Sequence, residues 1–400
     1  MHFGLESGLI RRGLAGCLLS GVLVSFLGAI LPAWGYHITS PYRVIACYFL
    51  VLSAGVLLGA RGAYSLLQRR GLRVTLTVAS ALAFAGLAAL SASGPPAPDW
   101  RRAAALLLVG IAAGQLHAGI FHLVTPAYEL NAAATINLAG TLYGLGCLVS
   151  ALLVAGTFYV YTVGSIVFLL ALLPAFYAGM YARSRFVDEP PEPKRTFRQF
   201  LEDFSRPAAV LFALLLFFQF GNEYALAGWL PLYLIRRLGI SPETSLWLLS
   251  LYWLALLVGR IAAQAVMPHV SHGRLLGGSI IAAWFGCALL WSTNNTFGAL
   301  VGILMTGFGF ASIYPLLAER IRNRFPYYHP GFFNGIFSLA FTGAMLAPAS
   351  LGFLAAEFGL GVVMGLPLLG TAAVLVLLLL LWLETKVAGL AGVNRTGLQP

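Results

Sequence analysis

Residues 207–235 read PAAVLFALLLFFQFGNEYALAGWLPLYLI, and this stretch decides the fold class. It contains a single charged side chain, Glu223. A helix needs about 20 apolar residues to cross a bilayer, and this stretch exceeds that length. A helix that is apolar all round has no face to turn toward water. We therefore expect residues 207–235 to cross a membrane.

The rest of the chain has the same character. Of its 400 residues, 24 are basic and 13 acidic, so 9% are charged, while 60% are hydrophobic. Soluble domains carry roughly 25% charged residues, so a water-soluble enzyme is excluded, and so is a disordered chain. The net charge of +11 is spread over short loops. That distribution indicates orientation in a membrane and no nucleic-acid partner.

Apolar segments of membrane-spanning length recur along the whole chain. They cover residues 13–35, 42–67, 74–93, 103–127, 131–156, 158–182, 207–235, 243–267, 274–292, 296–318, 331–356 and 360–384, numbered here as segments 1 to 12. We predict an all-α membrane protein of twelve helices in two six-helix bundles. The N-terminal bundle covers residues 1–182, a cytoplasmic linker 183–206, and the C-terminal bundle with a short cytoplasmic tail 207–400.

The basic residues predict the orientation of these helices. With the N-terminus placed inside, 19 of the 24 lie on the cytoplasmic side and five on the other. This asymmetry predicts an integral protein of the inner cell membrane with both termini cytoplasmic. The four cysteines lie inside apolar segments without metal-site spacing. We expect no metal, no cofactor, and a monomer whose partners are the lipid bilayer, a small-molecule substrate and protons.

Matched residues in the two halves indicate a duplicated unit. The pairs lie 197 to 201 positions apart: Leu31-Pro32 with Leu230-Pro231, Ser40-Pro41 with Ser241-Pro242, Gly59 with Gly259, Asn137 with Asn334, and Gly146 with Gly343. Six helices per unit make the two repeats parallel. Such repeats place a binding cavity near mid-membrane at their interface, where rocking exposes it to alternate sides. The repeat therefore predicts a transporter.

Several motifs resemble one family of transporters. Residues Gly59 to Arg73, with Arg69, Arg70 and Gly71, resemble the glycine-and-arginine loop between helices 2 and 3 of the major facilitator superfamily, without its usual aspartate. Residues 221–234, GNEYALAGWLPLYL, resemble helix 7 of its fucose-permease-like branch. Residues 137–139 and 312–315 are similar to helices 5 and 10 of that branch. The resemblance implies the superfamily fold and proton-coupled sugar symport.

Two positions depart from that branch, which carries acidic residues tied to proton coupling in helices 1 and 4. Segment 1 contains no acid from Gly21 to Trp34, and segment 4 has His117 at the corresponding place. Glu223 lies about halfway along segment 7, where an ionised lone carboxylate is costly. We interpret Glu223 as the proton-coupling site and His117 as its helper. A structural hydrogen bond to a neighbouring helix is the alternative for Glu223.

Mid-helix polar and aromatic residues are the candidate solute contacts. They are Gln115, His122, Asn137, Tyr143, Gln219, Asn222, Trp253 and Asn334. Amides suit a hydroxyl-rich solute because each offers a donor and an acceptor, and aromatic rings can stack on a sugar. The alternative is that these polar groups join helices to one another in lipid.

Mirrored charges at the cytoplasmic ends predict a gate. Arg69, Arg70 and Arg73 lie near Glu129 in the first half, and Arg260 and Arg274 lie near Glu319 in the second. Salt bridges among them would form when the transporter faces outward. The alternative is a set of ordinary interfacial charges that contribute little.

The sequence leaves three functions open. The first is proton-coupled symport of a small polar solute such as a sugar, and the second is proton-coupled export of a drug, lipid or amphipathic metabolite. The third, a membrane-embedded enzyme using Glu223 and the segment 4 histidines, is disfavoured by the repeat. No Gly-x-x-x-x-Gly-Lys-Ser/Thr stretch occurs, which excludes an ATP-driven pump on this chain alone.

Overall fold

The computed structural model describes residues 2–39, 41–130, 132–186, 203–325 and 335–396, with side chains over 12–39, 41–124, 135–186, 204–325 and 336–387. These ranges form helices and turns and contain no strand. The helices are α1 His2–Ala33, α2 Tyr36–Thr39, α3 Tyr42–Ser91, α4 Asp99–Leu130, α5 Ala132–Thr157, α6 Val163–Arg183, α7 Pro207–Leu238, α8 Pro242–Val266, α9 His272–Ser292, α10 Thr296–Arg324, α11 Gly335–Phe358 and α12 Val362–Thr396, with a 3₁₀ turn at Asp203–Ser205.

Helix α3 supplies two of the predicted crossings. Its 50 residues would extend about 75 Å as one straight helix, more than twice the hydrocarbon thickness. Gly71 interrupts it with φ 75° and ψ 176°, a conformation that glycine adopts readily because it has no Cβ. Eleven helices in the described ranges are long and apolar enough to cross a membrane. With α3 counted twice, the predicted twelve crossings are confirmed.

Turn chemistry sets the helix boundaries where the sequence predicts breaks. Ser241 accepts a hydrogen bond from the backbone nitrogen of Thr244 at 3.1 Å and caps α8, with Pro242 in the first turn. Gly239 ends α7 with φ 66°. Thr162 caps α6, and the boundary between segments 5 and 6 falls at residues 157–163. Each cap satisfies backbone groups that a helix end leaves unpaired.

The packing of the two bundles confirms the repeat. A Cβ on Gly146 of α5 would lie 2.0 Å from the carbonyl oxygen of Leu18 in α1. A Cβ on Gly343 of α11 would lie 2.1 Å from the carbonyl oxygen of Phe217 in α7, 199 positions after Leu18. The matched glycines therefore let matched helices touch backbone to backbone, as small residues do in membrane bundles. Gly59 plays the same part toward α4, and Gly259 leaves room on α8 for Ala311 and Phe308 of α10.

The alternating crossings define two faces of the bundle. The connections at residues 33–42, 91–99, 157–163, 238–242, 292–296 and 358–362 lie at one end, the distal face. Gly71, the end of α6 at Arg183, the start of α7 at Pro207 and residues 266–272 lie at the opposite end, the basic face. Most of the predicted linker, residues 187–202, lies outside the described residues. The two halves meet through α1 with α7, α3 with α11, and α5 with α8.

Candidate solute-binding cavity

A cavity of about 180 Å³ lies between the two halves. Helices α1, α4 and α5 supply one wall, and α7, α8, α10 and α11 supply the other. The space accommodates on the order of ten water molecules, which is the size of a small organic solute. Its position at the interface of the repeats agrees with the cavity that the duplicated sequence predicts.

Aromatic and aliphatic side chains make up most of the cavity wall. The rings are Phe121, Tyr143, Phe220, Tyr224, Trp253, Tyr314, Phe337 and Phe341, and Ile120, Val124, Ile136 and Leu256 lie among them. Polar side chains are few, and Glu223 and Arg260 are the acid and the permanent cation on the described wall. A site of this kind holds an apolar body and orients it through a small number of polar groups.

Glu223 is held on the wall by its own helix. Its side chain is 6% exposed, and Oε1 accepts a hydrogen bond of 2.8 Å from Nε2 of Gln219, one turn earlier in α7. Residues four apart share one face of a helix, which explains the pairing. Gln219 itself does not line the cavity, so it supports the carboxylate from behind.

Arg260 of α8 crosses the interface between the halves. Its Nη1 donates a hydrogen bond to the carbonyl oxygen of Gly140 in α5, and its side chain is 8% exposed. A Cβ on Gly140 would lie 2.9 Å from that nitrogen, so the missing side chain leaves room for the guanidinium. The Nε atom of Arg260 has no hydrogen-bond partner among the described residues.

His117 joins α4 to α1 at the edge of the cavity. Its Nδ1 shares a hydrogen bond of 2.9 Å with Oγ of Ser20. The imidazole also lies against the rings of Phe121 and Phe341, with centroids 5.1 and 6.0 Å away. Because Phe341 belongs to α11, His117 contacts both halves of the protein.

The hydroxyls of Tyr143 in α5 and Tyr224 in α7 form a hydrogen bond across the interface. Tyr224 lines the central cavity and also a smaller void of about 40 Å³ on the distal side, which Ser25 and Ser53 border. Tyr224 and Phe341 line both spaces and therefore lie between them.

The distal side of the interface is closed by direct backbone contact. A Cβ on Gly28 of α1 would lie 2.2 Å from the carbonyl oxygen of Ala227 in α7. A Cβ on Gly352 of α11 would lie 2.8 Å from the carbonyl oxygen of Tyr42 in α3. At the surface of this face, Arg43 of α3 forms an ion pair with Glu357 of α11. The cavity thus lies on the basic side of a closed distal interface.

A family model supports the assignment that the fold and cavity suggest. The model of the Major Facilitator Superfamily matches residues 132–344 and 212–397. The chain belongs to the major facilitator superfamily. It is therefore a multi-pass integral membrane protein with a transporter fold, as the resemblance of its motifs predicts.

A relative of this superfamily member agrees with that assignment. An uncharacterized MFS-type transporter of Yersinia pestis is 24% identical over 163 residues, 40% of this chain. The chain spans only 42% of the length of that relative.

Solved structures of the superfamily share the fold. The nucleoside transporter NupG, a single-residue variant, aligns with a TM-score of 0.70 at 12% identity, over 94% of this chain and 99% of that one. FucP in the outward conformation aligns with a TM-score of 0.61 at 14% identity, over 93% and 98%. A variant of FucP, the E. coli fucose:proton symporter, gives 0.60 at 13% identity, also over 93% and 98%.

The predicted solute contacts of this superfamily member divide into two groups. Tyr143 and Trp253 line the cavity with Glu223 and His117. The described wall does not include the side chains of Gln115, His122, Asn137, Gln219 and Asn222, and Asn334 lies outside the described residues. Nδ2 of Asn222 donates to Oγ1 of Thr371 in α12 at 3.3 Å, so this amide joins two helices, the alternative that its sequence left open.

The predicted gate residues do not pair with one another in the described structure. Arg69, Arg70, Arg73 and Arg274 are exposed, and Arg73 donates to the backbone carbonyl of Ala182 in its own half. Glu319 lies 3.4 Å from Nε2 of His272, also within one half, and the side chain of Glu129 lies outside the described residues. Arg260 lies inside the cavity instead of at the surface. The gate at the basic face remains a prediction.

Neither the role of Tyr224 nor the position of Arg260 was predicted from the sequence. Tyr224 was passed over, although it directly follows Glu223. Arg260 was assigned to the cytoplasmic surface because it lies near the end of segment 8. The glycines at 140 and 144 are the one signal for its true position, since an absent side chain on α5 leaves space for a long one on α8.

Proposed function

We propose that this chain is a proton-coupled secondary carrier that moves a small solute through the central cavity by alternating access, with Glu223 as its proton-binding site. The observation that carries the proposal is a buried carboxylate, Glu223, on the wall of a cavity between two repeated bundles. Burying an ionisable acid inside the membrane costs free energy, so such a residue is by default expected to have a function.

Alternating access is supported by where the two halves touch. The distal interface is closed at Gly28 and Gly352, whereas the cavity occupies the basic side of the same interface. A rigid-body rocking of one half against the other would separate the distal contacts and expose the cavity to the distal face. The Tyr143–Tyr224 hydrogen bond joins the halves between these regions, so it must break in that motion.

The solute that suits this wall has an apolar or aromatic body. The hydroxyl-binding amides that would favour a sugar are absent from the described wall, and aromatic rings dominate it. A polar solute in such a site would leave several of its hydroxyls without hydrogen bonds, which is costly. We therefore favour an amphipathic metabolite over a sugar, with His117 as the proton helper beside Glu223.

The orientation follows from the basic residues. We propose that the basic face is cytoplasmic, with both termini inside, and that the protein is a monomer of the inner cell membrane. A C-terminal green fluorescent protein fusion should fluoresce, and a C-terminal alkaline phosphatase fusion should be inactive. The opposite pair of results contradicts this orientation.

The test of the proposed function is proton movement in proteoliposomes. Pyranine inside the vesicles reports proton entry when fucose, uridine, benzoate or phenylacetate is added outside, and protein-free vesicles give the background for acids that cross lipid unaided. We expect at least one probe to drive proton entry above that background. Glu223→Gln should abolish the excess. Glu243→Gln, which changes a half-buried acid near the start of α8 and away from the cavity wall, should not. Undiminished proton entry through Glu223→Gln would contradict the role of Glu223.

A further inference from the structure

We infer that the solute is an organic monocarboxylate with an aromatic or apolar body, whose charge is received by Arg260 while Glu223 takes up one proton. This inference rests on the proposed function, since it names the solute class for the same cavity. It goes beyond that proposal by assigning the anion site and the ratio of one proton per solute.

Arg260 has unused capacity to bind an anion. Its guanidinium carries five N–H donors, yet the described protein supplies one neutral acceptor, the Gly140 carbonyl, to Nη1. Arg260 is 92% buried, and its Nε atom has no hydrogen-bond partner among the described residues, so water does not readily replace the missing acceptor. A buried cation in this condition is costly, and a planar carboxylate satisfies two of its donors at once. An ammonium or a neutral hydroxyl does not provide that match.

The surroundings of Arg260 select the rest of the solute. Trp253 and Leu256 precede it on α8, and Phe220, Phe337 and Phe341 line the same cavity from α7 and α11. Burying one ring among these side chains is favourable in proportion to the apolar surface that it removes from water. A compact hydrophilic anion such as formate would leave this wall uncovered. The favoured solute therefore combines one carboxylate with one ring or branched chain.

A small number of titratable groups surrounds Glu223, so the net charge of the cavity can be counted. On the helices packed around it they are Cys17 of α1, His117 of α4, Tyr143 and Cys147 of α5, Tyr224 of α7, Tyr252 and Arg260 of α8, and Tyr314 of α10. Helices α11 and α12 face this region with Phe337, Phe341 and Thr371, which do not titrate. Arg260 is the permanent charge in this set.

Charge balance then couples the proton to the anion. In the empty cavity, the Glu223 carboxylate balances the Arg260 guanidinium. A bound carboxylate adds one negative charge, and in surroundings of low dielectric constant this excess is removed when one proton from water binds Glu223. The sum of the binding step is one solute anion and one proton entering together, so the loaded cavity is again neutral. A neutral solute leaves the cavity charge unchanged and provides no such reason for proton uptake.

The first experiment compares matched acids and amides on the purified full chain in detergent. Isothermal titration calorimetry uses benzoate against benzamide, phenylacetate against phenylacetamide, and indole-3-acetate against indole-3-acetamide. We expect at least one acid to bind at least 10-fold more tightly than its amide. Arg260→Gln should weaken that acid about 10- to 100-fold, as the loss of hydrogen bonds to a charged group predicts, and Arg260→Lys should weaken it less. Arg61→Gln, at an exposed site on α3, should bind like the parent.

The second experiment counts protons. The same calorimetric titration is run in phosphate and in Tris, two buffers with different ionisation enthalpies, at several pH values between 6 and 9. The difference between the two binding enthalpies gives the number of protons taken up per acid bound. We expect uptake to approach one proton in the parent at some pH in this range and zero in Glu223→Gln. A parent that binds an acid with no proton uptake over the whole range overturns the inference. Uptake that persists in Glu223→Gln but disappears in His117→Gln overturns it as well.

The two proposals fail separately. If every amide binds as well as its acid, or if fucose or uridine binds and none of the three acids does, the anion site is wrong. Proton entry driven by such a neutral probe in proteoliposomes would still uphold the proposed carrier. Conversely, an acid that binds through Arg260 but drives no proton movement across the vesicle contradicts the proposed function and leaves the anion site in place. Because the acid–amide comparison uses the parent protein, it holds even where an Arg260 variant does not fold.

Discussion

Replacing Gly28 by alanine should shift the protein away from the state in which the distal side is closed. A Cβ at this position would lie 2.2 Å from the carbonyl oxygen of Ala227 and 2.9 Å from Cα of Gly228. Both atoms belong to the backbone of α7, so no side-chain rotation relieves the clash. Carbon contacts are favourable near 3.5–4.0 Å, so α1 and α7 must move apart by about 1 Å.

The magnitude follows from that displacement. Overpacking a tight contact costs about 1–3 kcal/mol, and the cost falls on the state in which α1 touches α7. A state opened on the distal side does not make this contact, so the population ratio should change by about 5- to 150-fold in its favour. The alanine also removes the backbone freedom of glycine in a helix, which stabilises both states alike.

The assay is the distance across the distal face. Spin labels on Tyr159→Cys and Phe358→Cys, both exposed and on opposite halves, report it by double electron–electron resonance in a background without the native cysteines. Gly28→Ala should transfer population to a longer distance. Gly156→Ala is the matched control, because a Cβ there has no atom within 4 Å. Equal distance distributions in both variants would refute the closure of the distal side by α1 and α7.

Three further predictions concern stability. Arg102 is 3% exposed, and its guanidinium donates hydrogen bonds to Asp99, to Tyr48 and to two backbone carbonyls. Arg102→Ala should therefore lower the free energy of unfolding, measured by denaturant titration, by about 3–5 kcal/mol. Arg101→Ala, at an exposed neighbouring position, should change it by less than about 1 kcal/mol in the same titration. Arg43→Ala breaks the ion pair with Glu357, whose side chains are 69% and 58% exposed. Because exposed ion pairs contribute little, the midpoint of thermal unfolding should stay within about two degrees of the parent's, and a larger fall would contradict this prediction. Trp229→Phe loses the 2.8 Å hydrogen bond from the indole nitrogen to the carbonyl oxygen of Pro348 in α11. The free energy of unfolding should fall by about 1 kcal/mol, and an unchanged midpoint of thermal unfolding would contradict this prediction.

Much of the fold was predictable because hydrophobicity and turn chemistry act locally. The division between segments 5 and 6 and the start of segment 8 near residue 243 follow from a few neighbouring residues, and the structure confirms both. The repeat was predictable for a different reason. Gly146 and Gly343 hold matched positions because a backbone contact tolerates no side chain, so the same residue recurs wherever the same helices cross.

The candidate site was less predictable because its members come from seven helices. Glu223 and His117 stand out in apolar segments by their polarity alone, and both line the cavity. Asn222 stands out equally, yet it points toward α12 and bonds to Thr371. Polarity shows that a side chain needs a partner, and it does not show whether the partner is a solute or another helix.

The sequence by itself determined that this chain is a membrane protein of twelve crossings in two repeated halves, because crossing a bilayer requires long apolar helices whose composition is visible residue by residue. Only the tertiary structure decided which faces of those helices meet. In helices that are apolar on every side, no pattern distinguishes the face toward lipid from the face toward a cavity. The position of Arg260 beside Gly140, the Tyr143–Tyr224 bond and the closed distal interface therefore depend on packing between segments more than 80 positions apart.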